Sequence, residues 1–487
     1  MDPVKGSAWT EAQAERHLRS LELFGMRFGL DRMRRMTTAL GSPQQDYESI
    51  HVLGTNGKTS TTRMIAAILQ RHGLRTGAYT SPHLVSYCER LQIEERDLRS
   101  HEFAGAVAHA ARAAERVNRT LAEDDHVTQF ELLTAAALWE MGRREVQVAV
   151  VEAGLGGRYD ATSVIEAPVS VLTNVGLEHT RWLGPTLTDI AEEKLAVVRP
   201  GGTLVLGSWL AADARAVAER LARDRKARIV TVEDPLAPAS VARSTSPDAS
   251  VLQAPSILQA PSKQAAAGAF QRRNFALAQA AAEAHLRGVG IALDERAVRA
   301  AAQTTAVAGR LQTLSEQPLT VIDGAHNPDA VAALAQALPE MLGDRAVGLV
   351  LGVLEDKDAA SMLAALLPCC ERAWFTAPPS PRALSPAALQ SLARQLSFEN
   401  AVCEPQPLRA LAEARRWAGA DEGGARDGRA VLATGSIYLI GELLRGRQLA
   451  GCDYAREPED FAGSSVPGVG ARDEPAELDR RRGVRRH

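Results

Sequence analysis

A glycine-rich turn set between a strand and a helix constrains this chain more than any other feature. Residues 50–53 form a short apolar run of strand character, residues 58–72 carry helical periodicity, and the link reads Gly54-Thr55-Asn56-Gly57-Lys58-Thr59-Ser60. Glycines let such a turn curl so that its N–H groups point inward at phosphate oxygens. The helix N-terminus adds positive potential and Lys58 adds a point charge. Thr55, Asn56 and Gly57 complete the cradle, and Thr59 is placed to set a hydroxyl on the Mg²⁺ of a nucleotide. The Gly-x-x-Gly-Lys-Thr spacing has a shorter loop than the Walker pattern. The competing reading, a βα turn with an incidental lysine, loses to the strand before it and the helix after it. Alone, the loop implies only ATP or GTP.

Short apolar runs and helical patterns alternate from residue 50 to 232, with further strands expected at 146–151, 168–174 and 203–207. Strands separated by helices imply parallel βαβ units in an open α/β sheet. From 235 to 268 the composition turns to Ala, Pro, Ser and Gln, with near-copies at 251–256 (VLQAPS) and 257–262 (ILQAPS). This stretch is expected to be an insert without chemistry, either mobile or a weakly specified hairpin. Helical pattern returns at 271–286 and 295–302. A second alternation follows, with strands at 320–323, 347–353, 373–376, around Val402 and at 431–434. Thr, Ala and Gly around 303–310 break both patterns. The expected organisation is an N-terminal domain over 1–305, a C-terminal α/β domain over 306–450, and a disordered polar tail over 451–487.

Charge excludes several partners. Lys and Arg total 56 against 59 Asp and Glu, a net charge of -3, so no basic excess favours nucleic acid or an anionic membrane. The longest apolar run, around 346–354, is far short of the roughly 20 residues of a membrane span. The opening MDPVKGSAWTEAQAERHL contains no apolar signal core. The 5 cysteines, at 88, 369, 370, 403 and 452, form no CxxC pair, which suits a reduced cytosolic protein with small-molecule ligands.

The blocks downstream of the loop sharpen this picture. They are Ser81-Pro82-His83-Leu84, Glu152-Ala153-Gly154-Leu155-Gly156-Gly157-Arg158-Tyr159-Asp160-Ala161-Thr162, Leu177-Glu178-His179-Thr180, Glu192-Glu193-Lys194, Gly309-Arg310, Asp323-Gly324-Ala325-His326-Asn327-Pro328 and Asp356-Lys357-Asp358. In order and spacing, from about residue 20 to 446, the chain resembles the folylpolyglutamate synthase / dihydrofolate synthase family of the Mur ligase superfamily. The phosphate loop alone reaches only the superfamily, whereas the 81–84, 152–162 and 323–328 blocks point to the folate branch. The resemblance implies an α/β protein, with an N-terminal P-loop ATPase domain of mostly parallel sheet, a C-terminal Rossmann-like domain, and the active site between them. It implies ATP-dependent amide ligation. The carboxylate of dihydropteroate or a reduced folate attacks the γ-phosphate, and the amine of L-glutamate then displaces phosphate from the acyl phosphate. A cytoplasmic monomer is implied as well.

Residue by residue, the resemblance assigns Mg²⁺, two ions of it, to Ser81, Glu152 and His179 beside Thr59. The residues support this in part, because Glu152 ends an apolar strand where open α/β sheets hold ligands, and hard oxygens suit Mg²⁺. His179 by itself reads as a hydrogen-bonded core residue. Lys194 matches the lysine that is carbamylated in the superfamily; by itself it reads as a solvated helix lysine, and Leu195-Ala196 departs from the Ala-Gly that usually follows. With Lys58, Asp160 and His326 it makes up the expected catalytic set. Asn274 matches the residue that reads adenine, although Phe270 stands where the family usually has His. Arg310 matches the arginine that reaches the phosphates from across the cleft, and Asp323 an acid on the ribose or phosphate side. His326 either organises its loop or caps the helix beginning near Pro328.

Pterin recognition falls to Asp31 and Arg32 in Phe28-Gly29-Leu30-Asp31-Arg32, to Thr128, Phe130 and Glu131, and to Tyr159, Asp160 and Ala161. Phe130 offers a ring face. Asp160 hydrogen-bonds a pterin edge, accepts a proton, or simply caps the following turn. Lys357 and Arg382 are candidates for the glutamate side. The alternative is a Mur-type ligase of cell-wall precursors, since Thr59 sits where many folate enzymes carry Gly. A degenerate, non-catalytic nucleotide binder would have lost Lys58, Glu152, His179 or Arg310, and all are present.

Overall fold

The computed structural model describes residues 9–21, 29–237, 250–252, 268–420 and 428–449. Phe28, most of the expected insert and the expected tail lie outside them. The unit described below is Met1–Gly446.

Strands Glu48–Leu53 (β1), Thr76–Tyr79 (β2), Leu91–Ile93 (β3), Arg96–Asp97 (β4), Val148–Glu152 (β5), Val169–Leu172 (β6), Thr203–Gly207 (β7), Arg228–Val232 (β8) and Ser250–Leu252 (β9) build a nine-stranded sheet. Their order is β4-β3-β2-β5-β1-β6-β7-β8-β9, parallel except for β2–β3 and β3–β4. A parallel sheet covered by helices on both faces needs strands apolar on both faces. The VAVVE run of β5 is buried throughout, and β1 is buried after its first residue. On one face, helices Lys58–Arg71 and Ala269–Gly288 bring Met64, Ile65, Ile68 and Phe275 against Ile50, Val52 and Val150. Alanines 67, 278 and 281 in that layer let the two helices approach closely. On the other face, helices Ser100–Asn118 and Gln129–Arg143 close a second apolar layer around Val151.

Strands Gln312–Glu316 (β10), Leu319–Ile322 (β11), Ala346–Leu351 (β12), Arg372–Phe375 (β13), Ala401–Cys403 (β14) and Arg429–Thr434 (β15) form a six-stranded sheet ordered β10-β11-β15-β12-β13-β14, in which only β10–β11 is antiparallel. Fold class therefore matches the expectation from sequence: two α/β sheets, both mostly parallel.

Strand edges differ from expectation where the backbone leaves the ladder for a function. The strand expected at 168–174 stops at Leu172, because Thr173 turns its hydroxyl onto the carbonyls of Leu53 (3.1 Å) and Asn56 (2.7 Å). The strand expected at 146–151 begins instead at Val148 and runs on through Glu152. Part of the expected insert is a sheet element, since β9 pairs in parallel with β8.

Candidate active site

Ligand sites of open α/β sheets lie beyond the carboxyl ends of the strands. The ends of β2, β5, β1 and β6, neighbours in the sheet, carry Ser81, Glu152, Gly54 and Thr173-Asn174. The loop after β1 is shaped by two glycines. Gly54 has φ +142°, and a Cβ there would meet Thr173 Oγ1 at 1.9 Å; Gly57 has φ +82°, and a Cβ there would meet Asn274 Oδ1 at 2.4 Å. Only glycine suits either position. Asn174 Oδ1 accepts from the backbone N–H of Asn56 (2.8 Å) and Thr55 (3.2 Å). Lys58 begins the helix, and its ammonium donates to the Thr55 carbonyl at 3.0 Å. Asn274 lies against the turn at Gly57, with its own amide donating to Gln271 Oε1 at 3.0 Å.

Glu152 is the electrostatic centre. Its carboxylate is 1% exposed and accepts from Thr59 Oγ1 (2.9 Å) and the Ser81 N–H (3.1 Å). Burial pushes its pKa up, and Lys58 and Arg310 work against that. Lys194, on helix Leu187–Leu195, is buried too, and its ammonium donates to the Gly54 carbonyl at 2.8 Å. Burial, with Lys58 nearby, brings its pKa down to about 7. His179 stands at the N-terminus of a short helix, Thr180–Leu183, in a left-handed conformation with φ +54°, and makes no side-chain capping bond. Its pKa is lowered by burial, against the pull of Glu178.

Residues of the second sheet close over this edge. Asp323, at the end of β11, accepts from the N–H groups of Leu311 (2.9 Å) and Ala325 (2.8 Å). Its pKa is raised by burial and opposed by Arg310. Arg310 itself lies against Gly324, where a Cβ would meet Nη1 at 2.8 Å. Asn327, not His326, caps helix Pro328–Leu342, accepting from the Ala330 N–H at 2.9 Å. That resolves the two readings of His326 against the capping one. His326 Nδ1 sits 2.8 Å from the Gly324 carbonyl, and its Nε2 sits 3.7 Å from Glu178 Oε1. Burial lowers the pKa of His326 to about 4, so the ring is neutral, with Nδ1–H donating and the Nε2 lone pair free to accept. Lys357 Nζ donates to Glu178 Oε1 at 3.0 Å. Burial alone would raise Glu178; Lys357, His326 and His179 outweigh it and hold the pKa near 2.

Two family models cover most of the chain. Residues 52–282 match the Mur ligase middle domain, and residues 309–437 match the Mur ligase glutamate ligase domain. The chain is 35% identical over 372 residues to the folylpolyglutamate synthase of Lacticaseibacillus casei, a match covering 74% of this chain and 84% of that protein. The chain belongs to the folylpolyglutamate synthase / dihydrofolate synthase family of Mur ligases.

It is also 35% identical over 380 residues to the dihydrofolate synthase/folylpolyglutamate synthase of Mycobacterium tuberculosis, covering 74% of this chain and 76% of that one. The fold matches a solved structure of Mycobacterium tuberculosis folylpolyglutamate synthase complexed with ADP, with a TM-score of 0.79 and 30% identity over 91% of this chain and 98% of that one.

In this synthase-family chain the expected substrate residues divide into two sets. Asp160 stands in the loop that follows the carboxyl end of β5. Its Oδ2 accepts from the Leu155 N–H (2.7 Å) and its Oδ1 from the Thr162 N–H (3.0 Å) and hydroxyl. Burial raises its pKa against these bonds. Asp160 caps the 3-10 turn Ala161–Val164, so that reading of it is realised whatever else the carboxylate does. Phe130 approaches the same loop, since a Cβ on Gly154 would meet its ring at 2.5 Å. Tyr159 is exposed beside it and Ala161 is buried.

The other set is engaged with itself. Arg32 Nε donates to both oxygens of Glu131 (2.9 and 3.0 Å) and Nη1 to Asp125 (2.9 Å), while Glu131 completes a capping box with Thr128 at the start of helix Gln129–Arg143. Asp31 pairs at the surface with Arg35, and Arg382 with Asp356. Sequence reasoning missed Asn174 and Thr173, which are short polar side chains with no motif of their own, and gave no role to Thr162 within the 152–162 block. It quoted Glu178 without giving it a role.

Proposed function

We propose that this chain is an ATP-dependent ligase that joins L-glutamate to dihydropteroate, to the glutamate chain of reduced folates, or to both. The observation that carries the reading is the meeting of the phosphate loop with the loops of the second sheet, Asn327 bonding Asn56, Arg310 within electrostatic reach of Glu152, and His326 and Lys357 at Glu178, within a family whose relatives bear these names. The cell-wall ligase alternative is not favoured by those relatives. The proposed division falls near residue 305, between helix Glu295–Thr304 and β10.

Backbone N–H groups of the loop and Lys58 hold the triphosphate, Asn274 lies on the adenine side, and Arg310 and Asp323 reach the nucleotide from the second sheet. Phe130, Tyr159, Asp160 and Ala161 take the pterin end, and the Asp31–Arg32 and Thr128–Glu131 segments shape its wall. The substrate carboxylate forms a bond to the γ-phosphorus as the bond to ADP breaks. The glutamate amine then attacks the acyl carbon, phosphate leaves, and the amine loses a proton. The Nε2 lone pair of His326 and the Glu178 carboxylate lie 3.7 Å apart and together suit an ammonium, so we assign them to the incoming amine, with Lys357 and Arg382 on the carboxylate side.

The donor set fits divalent metal in its oxygens, since the buried Glu152 carboxylate and the Thr59 hydroxyl that donates to it are hard groups; Ser81 meets the same carboxylate through its backbone N–H, and His179 lies within electrostatic reach of Lys58 and Lys194. Among the described residues no three His, Cys, Asp or Glu side chains cluster as a cage. Phosphate oxygens would complete the sphere of Mg²⁺, and the reading takes two such ions. Bound Mg²⁺ neutralises charge on the transferring phosphoryl group. Lys194, held near pKa 7, has a large neutral fraction at physiological pH, the form that adds CO₂ to become a carbamate.

The reading carries small-molecule partners alone, with no nucleic acid and no membrane, and a monomer in the cytoplasm. Among the described residues no helix is long and apolar enough to cross a membrane. The deciding experiment is phosphate release from Mg-ATP with L-glutamate, comparing dihydropteroate and tetrahydrofolate as acceptors, with products identified by mass. Glutamylated product from either supports the ligase; silence with both overturns it.

A further inference from the structure

We infer that His51 is a positioning residue for the Asp160 carboxylate, acting through the hydroxyl of Thr162. The inference rests on the assignment of Asp160 to the pterin substrate proposed above.

His51 lies in the middle of β1, the strand that ends in the phosphate loop, and is 1% exposed. Its strand neighbours Ile50 and Val52 pack against helix Lys58–Arg71, so alternation turns His51 to the opposite face of the sheet. There it sits between Val151 of β5 and Ser170 of β6. A valine or leucine would fill that layer without needing a partner, whereas a buried imidazole needs one. The partner is Thr162: His51 Nε2 lies 2.9 Å from its Oγ1. The same oxygen is hydrogen-bonded to Asp160 Oδ1.

Proton counting fixes the direction of this relay. A hydroxyl has one hydrogen, and against a carboxylate it donates. Thr162 Oγ1 can then only accept from His51, so the imidazole must present Nε2–H. Burial keeps the ring neutral, with its pKa down to about 4, so that single N–H is the one it has to give. The result pins Asp160 from three sides: the Thr162 hydroxyl and N–H on Oδ1, and the Leu155 N–H on Oδ2. Oδ2 also faces Gly154, where a Cβ would meet it at 3.0 Å and Phe130 at 2.5 Å. Any side chain there would push into the space between the carboxylate and the ring. His51 therefore ties the orientation of the substrate-side acid to the strand that carries the nucleotide loop.

The test measures phosphate release with the pterin-bearing acceptor, dihydropteroate or tetrahydrofolate, that the wild-type protein uses, in His51→Leu, His51→Gln, Asp160→Asn and the double variant His51→Leu/Asp160→Asn. His51→Leu is expected to raise the KM for that acceptor about tenfold, with the KM for ATP within about twofold of wild type. His51→Gln, which keeps an N–H at similar reach, should restore most of it. The double variant should be no worse than Asp160→Asn alone. An unchanged KM in His51→Leu beside an impaired Asp160→Asn, or fully additive effects, overturns the inference. An unimpaired Asp160→Asn removes the assignment of Asp160 itself, and the inference with it. Should His51→Leu fail to fold, ¹⁵N spectra of the histidines in the wild-type protein decide: a neutral Nε2–H tautomer for His51 supports the relay, and Nδ1–H excludes it.

Discussion

Asn56 of the phosphate loop and Asn327 at the cap of helix Pro328–Leu342 exchange side-chain hydrogen bonds, Asn327 Nδ2 donating to Asn56 Oδ1 at 2.9 Å and Asn56 Nδ2 to Asn327 Oδ1 at 3.3 Å. The pair joins the turn that cradles phosphate to the loop that carries Asp323 and His326. Because Asn327 Oδ1 also takes the Ala330 N–H, one side chain both caps a helix and holds the phosphate loop.

Breaking this pair is expected to weaken nucleotide use without unfolding the protein. Asn56→Ala and Asn327→Ser should each lower kcat/KM for ATP by about tenfold, and the double variant should be little worse than either. Serine is a good N-cap, so Asn327→Ser keeps the helix start, whereas Asn327→Ala should lose about 1 kcal/mol of stability besides. A double-mutant cycle in kcat/KM checks this. Strict additivity would mean that the two amides do not act together.

Glu152→Gln should separate stability from turnover. Burial holds the native pKa of Glu152 above its unfolded value, so the native state binds the proton more tightly. Stability therefore falls as pH rises from the unfolded pKa through the native one, and that penalty persists above it. Glutamine carries no such penalty. Measured at pH 8 without nucleotide, the variant's Tm should exceed that of wild type, while ligation falls by about 100-fold or more. A lower Tm, or near-normal ligation, would contradict the placement of this carboxylate.

Much of this site was legible because its chemistry needs contiguous residues. The phosphate loop, Glu152 at a strand end and the 323–328 block each combine a strand, a turn and a polar group in one short window. What was hidden came from residues far apart in sequence. Thr173 and Asn174 shape the loop after Leu53 from the end of another strand, with nothing in their own window to mark them. Arg32 and Glu131, 99 residues apart, looked like two substrate segments and are partners of each other. Strand β4 is Arg96–Asp97, too short and too polar to show any period, and β9 sits in a low-complexity stretch whose composition left a mobile insert and a weak hairpin both open and gave no sign of a parallel partner for β8.

Lys194 should leave a signature in the pH dependence of stability. Its native pKa, near 7, lies below the 10.5 of an unperturbed lysine, so between those values the unfolded state binds the extra proton. Stability should then rise with pH across that window, by up to about 1.4 kcal/mol per pH unit from this group. Urea unfolding of wild type and Lys194→Met from pH 6 to 9, in buffer freed of bicarbonate, checks it. The difference between the two should shift in favour of wild type as pH rises above 7. Parallel curves would mean that the ammonium is not desolvated.

Arg32 distinguishes a wall from a contact. Its guanidinium is buried against Glu131 and Asp125, at 2.9 Å to each. Removing one partner of a buried ion pair leaves an uncompensated charge and costs about 3–5 kcal/mol. Arg32→Ala should therefore lower the Tm markedly, and Arg32→Met/Glu131→Leu should recover part of that loss, since apolar groups of similar volume can replace a buried pair, while Asp125 loses Arg32 and Thr128 its capping-box partner. Thermal unfolding of the two variants beside wild type checks both statements. If the residue instead touched substrate directly, Arg32→Ala would raise the KM for the pteroate substrate while leaving the Tm in place. Loss of Tm with recovery in the double variant makes the Arg32–Glu131 pair the support on which helix Gln129–Arg143 and Phe130 are set.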